Sequence, residues 1–159
     1  MEEFEMLTMM SEKYQLQSVL QCNEKSQKFG LILTEEDVKR LLEKRKDNLR
    51  EQQRIEFGEG ILPKLIFVFC DSPYVYQSNY VEVLMQLQEI FYQYKNETLD
   101  ELTDDELLEE MKNAFDGECA GSVEYLQETI LDKVARDVRE LQGEYFERYR
   151  KRSLSEDEL

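Results

Sequence analysis

Apolar residues crowd together at one place in this chain, FGEGILPKLIFVFCDSPY over residues 57 to 74, and the remainder is densely charged. A fold made from such a chain has to gather around that stretch, because burial of contiguous apolar surface is the main force available. Ile61, Leu62, Leu65, Ile66, Phe69 and Cys70 repeat as adjacent pairs four apart, which is a helical rhythm. Pro63 suits a helical first turn and weighs against a central strand. Phe67 and Val68 fill the gap between the pairs, so a buried strand of the same length stays open beside the helix. Gly58 and Gly60 break the chain ahead of this segment, and Ser72 before Pro73 ends it.

The flanking sequence carries helix punctuation at regular intervals. A first helix is expected over Ser11 to Lys28, with Leu16, Val19 and Leu20 inward and Gly30 ending it in a left-handed conformation. Thr34 caps a second, where Glu35, Glu36 and Asp37 favour the positive end of the dipole and Val38, Leu41, Leu42 and Leu49 face in. After a linker from Tyr74 to Gln77, Ser78 opens the best-patterned helix. Its inner face is Tyr80, Val83, Leu84, Leu87, Phe91 and Tyr94, with Glu82, Gln86, Gln88 and Gln93 outside. Thr103 and Glu106 form a capping box ahead of Leu107, Leu108, Met111 and Phe115, and Gly117 stops that helix. Ser122 caps a last helix with a stripe of Leu126, Ile130, Val134, Val138, Leu141 and Tyr145, running past Gly143. Arg148, Arg150, Lys151 and Arg152 then give way to an acidic end that is expected to fray.

Composition excludes more than it proposes. The 159 residues fit one domain with a core that needs no staples. Cys22, Cys70 and Cys119 are odd in number and far apart, so neither a disulfide framework nor a zinc site is signalled, and they read as reduced thiols. The acidic N-terminus is unlike a signal peptide, and the longest apolar run, Leu65 to Cys70, is far short of the roughly 20 residues that cross a bilayer. A cytoplasmic location is expected, and Glu156-Asp157-Glu158-Leu159 is read as an acidic tail rather than a retention tag.

There is no histidine, and formal charge is −16 from 36 acidic and 20 basic residues. Ser-His-Asp and Cys-His nucleophiles, helical di-iron sites and helical zinc-protease sites are therefore excluded. What remains is a carboxylate pair, a lysine base or an acid-only magnesium site.

Four constellations invite chemistry. DGECAGSVEYLQ, residues 116 to 127, places Asp116, Glu118, Gly121 and Glu124 in a calcium-loop register, but Ala120 and Gln127 stand where ligands should be. Gly58-Glu59-Gly60 resembles a phosphate cradle, yet Glu59 repels an anion and the stretch reads as a turn. Cys70-Asp71-Ser72 adjoins the core, where Asp71 and a helix C-terminus disfavour a thiolate, so Cys70 reads as a small buried hydrophobe. Tyr74, Tyr76, Tyr80, Phe91, Tyr92 and Tyr94 are numerous enough to line a groove, or else to fill the core. Lys39, Arg40, Lys44, Arg45, Lys46, Arg50 and Arg54 enrich the second helix. The whole-molecule charge opposes a nucleic-acid reading, so they are expected to answer the acids of residues 97 to 110 or to face solvent.

The strings FGEGILPKLIFVFCDSPY and YKNETLDELTDDELLEEMKNAFDGECAGSVEYL resemble a small uncharacterised bacterial family of unknown function, over about Leu20 to Arg139. The resemblance implies a one-domain cytoplasmic protein and supplies no activity, cofactor or catalytic residue.

The expected architecture is all-α: a single-domain bundle of about six helices over residues 1–147, around a buried central apolar segment, with a basic-then-acidic tail over 148–159. No catalytic, cofactor-binding or metal residue is assigned, and no nucleic-acid or membrane partner is expected. The leading functional expectation is a non-enzymatic interaction or accessory module that binds a basic or amphipathic protein surface. A carboxylate-based metal- or metabolite-binding protein or enzyme, with Asp71, Asp116 and Glu118 to inspect first, is the alternative. A nucleic-acid mimic is the third.

Overall fold

A computed structural model describes residues 2–141; Gly143, Tyr145 and the tail expected over 148–159 lie outside them. The elements in order are α1 (Glu3–Leu20), α2 (Asn23–Ser26) running into a 3-10 turn (Gln27–Phe29), α3 (Glu35–Glu51), α4 (Leu62–Phe69), α5 (Tyr80–Glu97), α6 (Asp104–Asp116) and α7. The last opens at Val123–Tyr125, passes through a π turn (Leu126–Ile130) and continues through residues 131–141. The protein is all-α, and no strand occurs among the described residues.

The central segment is helical because its paired apolar residues line one face. Leu62, Leu65, Ile66 and Phe69 are fully buried, whereas Phe67 points outward and is 41% exposed. α5 and α6 pack on α4 from one side, and α1 and α2 approach it as well. Phe69 meets Phe115 of α6 edge-on, with centroids 5.4 Å apart. α5 also carries α3 along its flank. The two run parallel: Gln88 Nε2 donates to the Leu41 carbonyl near their midpoints, and Asn96 Nδ2 donates to the Gln52 carbonyl at their ends.

Caps fall where the sequence places them. Thr34 and Asp37 exchange hydrogen bonds at the start of α3, and Thr103 and Glu106 do so at the start of α6. Gly30 adopts φ +78 after the 3-10 turn. Thr103→Ala is expected to lower stability by about 1 kcal/mol, measured as a shifted urea midpoint.

Three expectations are corrected. α1 begins at Glu3 rather than Ser11 and is interrupted before α2, so Gly30 ends the second piece and not the first. The cause is a helix with two apolar faces: Leu16, Val19 and Leu20 turn to the core, while Met6, Leu7, Met10 and Tyr14 turn to solvent. Only the first face matches a core-seeking pattern, so the sequence shows half of the helix.

Gln88, expected outside, is fully buried, because its amide satisfies an α3 carbonyl. In α7 the inward residues are Leu126, Leu131 and Ala135, with Ile130, Val134 and Val138 half-buried and Leu141 exposed. The π turn explains the shift, since one turn there takes an extra residue and the inward series steps by five. The Tyr94 hydroxyl donates to the carbonyl of Gln127 within that turn, and Gln127 Nε2 donates to Gln93 Oε1.

Candidate functional site

The acids singled out for chemistry are gathered by a lysine. Lys112 Nζ lies 2.6 Å from Asp71 Oδ1 and 2.9 Å from Asp116 Oδ2, and Ser72 Oγ donates to Asp116 Oδ1 at 2.6 Å. The ammonium thus sits between the two carboxylates. Burial opposes its charge, but hydrogen bonds to Asp71 and Asp116 outweigh that and raise its pKa, the wrong direction for a base. Glu118 instead accepts from the Tyr125 hydroxyl at 3.4 Å. Among the described residues no group of three or more Cys, Asp or Glu side chains is placed to hold a metal ion.

The thiols are likewise held in their protonated form. Burial pushes all three above the ordinary cysteine value, Cys22 to about 11. The aromatic set belongs to the core: Tyr80, Phe91, Tyr92 and Tyr94 are buried, Tyr74 is half-buried, and Tyr76 alone of the six is exposed. Among the basic residues of α3 and the segment after it, Arg54 reaches the acids of residues 97–110. Lys39, Lys44, Lys46 and Arg50 pair with other carboxylates.

The unusual site follows α3. That helix ends in a Schellman motif, with Gln53 N–H on the Arg50 carbonyl, Arg54 N–H on the Leu49 carbonyl, and Gln53 itself at φ +55. Arg54, Ile55, Glu56 and Phe57 then form a stretch without helix, in which alternate side chains take opposite sides. Arg54 and Glu56 turn inward. Ile55 and Phe57 are 87% and 88% exposed.

Two clamps hold this inverted order. The buried Arg45 donates from Nε to Glu56 Oε1 at 2.7 Å and from Nη2 to the Glu56 carbonyl at 3.2 Å, while the Tyr92 hydroxyl donates to the same Glu56 oxygen. Burial, then the Glu56 charge, pushes the Tyr92 hydroxyl far above its ordinary pKa, so it stays a donor. Gly60 makes room for the clamp: at φ +64, a Cβ there would stand 1.6 Å from Glu56 Oε1 and 2.8 Å from Arg45 Nε.

The second clamp is the Arg54 guanidinium, bidentate on Asp100 at 2.8 and 3.2 Å and donating to Asn96 Oδ1 at 2.6 Å. The hydrogen bonds from Arg54 hold the Asp100 carboxyl below the usual range. Asp100 follows the end of α5, which closes in the same motif as α3, with Leu99 at φ +55 and 59% exposed. The parallel pair therefore brings together two helix C-termini and three exposed apolar side chains, each next to a clamped residue. Negative dipole ends and the nearby Glu51, Glu59 and Asp100 favour a cationic neighbour there.

The sequence groups Phe57 with the central apolar run, and the structure separates it from that run. The alternation of charged and large apolar residues just ahead of Gly-Glu-Gly was the visible sign, though its sense depends on partners far away in the chain.

Residues 18–144 match a family of unknown function (DUF6323), and the chain belongs to that family. The segment and both its clamps fall inside the matched span, whereas residues 1–17 precede it. Neither the comparison with curated proteins nor that with solved structures returned a match.

Proposed function

We propose that this protein is a non-catalytic interaction module that grips a partner protein through Ile55 and Phe57. One observation carries the reading: two charged side chains are tied inward so that two large apolar ones are held almost wholly in water. Exposing Ile and Phe sacrifices burial free energy of about 1.5–3 kcal/mol each, and anchors of this kind recover it in a partner's pocket. The partner's matching surface is an apolar pocket rimmed by Lys and Arg, because the site carries two helix C-termini, the acids beside them and an overall charge of −16. No helix among the described residues is long and apolar enough to cross a membrane. The reading sets the module in the cytoplasm, in keeping with three unpaired buried cysteines.

The test compares wild-type chain with Ile55→Ser/Phe57→Ser as bait. Both side chains touch little of the fold, so thermal stability is expected to change by no more than about 0.5 kcal/mol. A partner found with wild type should bind the double variant at least about 30-fold more weakly, and its affinity should fall as salt rises. Equal binding by the two chains would overturn the reading.

A further inference from the structure

We infer that α1 is a self-association element: two copies of this chain pair antiparallel along Met6, Leu7, Met10 and Tyr14. This surface is separate from the Ile55 and Phe57 site and does not depend on it. Residues 5–14 are all solvent-exposed, and within them Met6, Leu7, Met10 and Tyr14 are 51%, 60%, 64% and 67% exposed. Spacing of three and four puts these four on one stripe, turned away from the face that carries Leu16 and Val19 to the core. Glu12, on the other side of this stretch, lies 3.5 Å from Lys46 Nζ of α3, and a helical stretch of this length with so little packing is marginal in water. Its observed continuity from Glu3 to Leu20 calls for cover over the outer stripe.

The stripe is its own complement. Met6 and Tyr14 lie four residues either side of Met10, so a two-fold axis at Met10 sets Met6 of one copy on Tyr14 of the other and Met10 on its counterpart. Charge selects the antiparallel sense. Glu2, Glu3 and Glu5 crowd one end, whereas Glu12 and Lys13 cancel toward the other, so a parallel pair would oppose acids to acids, while the antiparallel pair sets the acidic end against a neutral one and the helix dipoles head to tail. A membrane is a poor occupant, because interfacial helices carry basic polar faces and this one is acidic. The 18-residue helix is about 27 Å long, enough for a paired interface on the order of 1,000 Å² at the small end of specific interfaces.

Sedimentation equilibrium of the full chain should show a concentration-dependent monomer–dimer equilibrium. Met10→Glu, which opposes two carboxylates at the axis, should weaken it about a hundredfold or more. Amide exchange gives an independent reading: protection of residues 5–14 should fall on dilution while that of α4 and α5 holds. Ile55→Ser/Phe57→Ser should leave the equilibrium unchanged. A chain still monomeric at about 300 µM, or a dimer indifferent to Met10→Glu, would overturn the inference.

Discussion

Glu56→Ala is expected to lower stability by about 3–5 kcal/mol, a large share of what a domain of this size possesses. The methyl group would leave the Arg45 guanidinium, 4% exposed, without its carboxylate, and would leave the Tyr92 hydroxyl without its acceptor. A buried charge stripped of its partner is far more damaging than the net value of the pair suggests. The double variant Arg45→Met/Glu56→Met should therefore recover much of the loss, since it removes the charge along with its counterion. Urea denaturation of the two singles and the double gives the coupling. A single variant that loses less than about 1 kcal/mol would mean that water already reaches Arg45.

Raising the pH should unfold the protein through its buried acids. In the unfolded chain cysteine and tyrosine release their protons near 9 and 10, whereas in the fold burial pushes Cys22 to about 11 and Tyr80 and Tyr94 to about 12. Between these values the unfolded state binds fewer protons than the native state, so stability falls as pH rises. The loss begins near 9 with Cys22, grows from 10 with the tyrosines, and is complete only above 12. A two-unit gap corresponds to about 3 kcal/mol at most, before solvent screening, so the three together remove a sizeable share of the stability of a domain. The tyrosinate absorbance of Tyr80 and Tyr94, obtained as the difference between wild type and Tyr80→Phe/Tyr94→Phe, should rise together with the loss of far-ultraviolet dichroism in one cooperative step. Ionisation of that pair near pH 10 with helices intact would show that these hydroxyls are open to solvent.

What could be seen in the sequence was local. The pairs of α4, the threonine caps of α3 and α6 and the inner face of α6 all rest on neighbours three or four positions away, and each is present in the fold. What escaped depends on distant contacts. Gln88 turns inward because of a carbonyl 47 positions away, and Glu56 because of partners 11 and 36 away. The pairing of Arg54 with Asp100, 46 residues away, is expected from the sequence only as a general answer of seven basic residues to the acids of 97–110, without its place in the chain being visible. Without those partners, Phe57 reads as one more residue of the central apolar stretch, and Ile55 is not singled out at all. Asp71 and Asp116 do come together, but the Lys112 that joins them gives the meeting a structural meaning.

The π turn of α7 leaves the protein tolerant of a change in length at one point. A chain one residue shorter between Leu126 and Leu131 would wind as an ordinary helix, and Leu126, Leu131 and Ala135 would still fall on one side, now at even intervals of four. The main loss would be the bond from Tyr94 to the carbonyl of Gln127. The same excision in α5 would swing every later side chain of that helix by about 100° and scramble its contacts with α3, α4, α6 and α7. Insertions and deletions are thus absorbed where the winding is already relaxed, and rejected where it is tight.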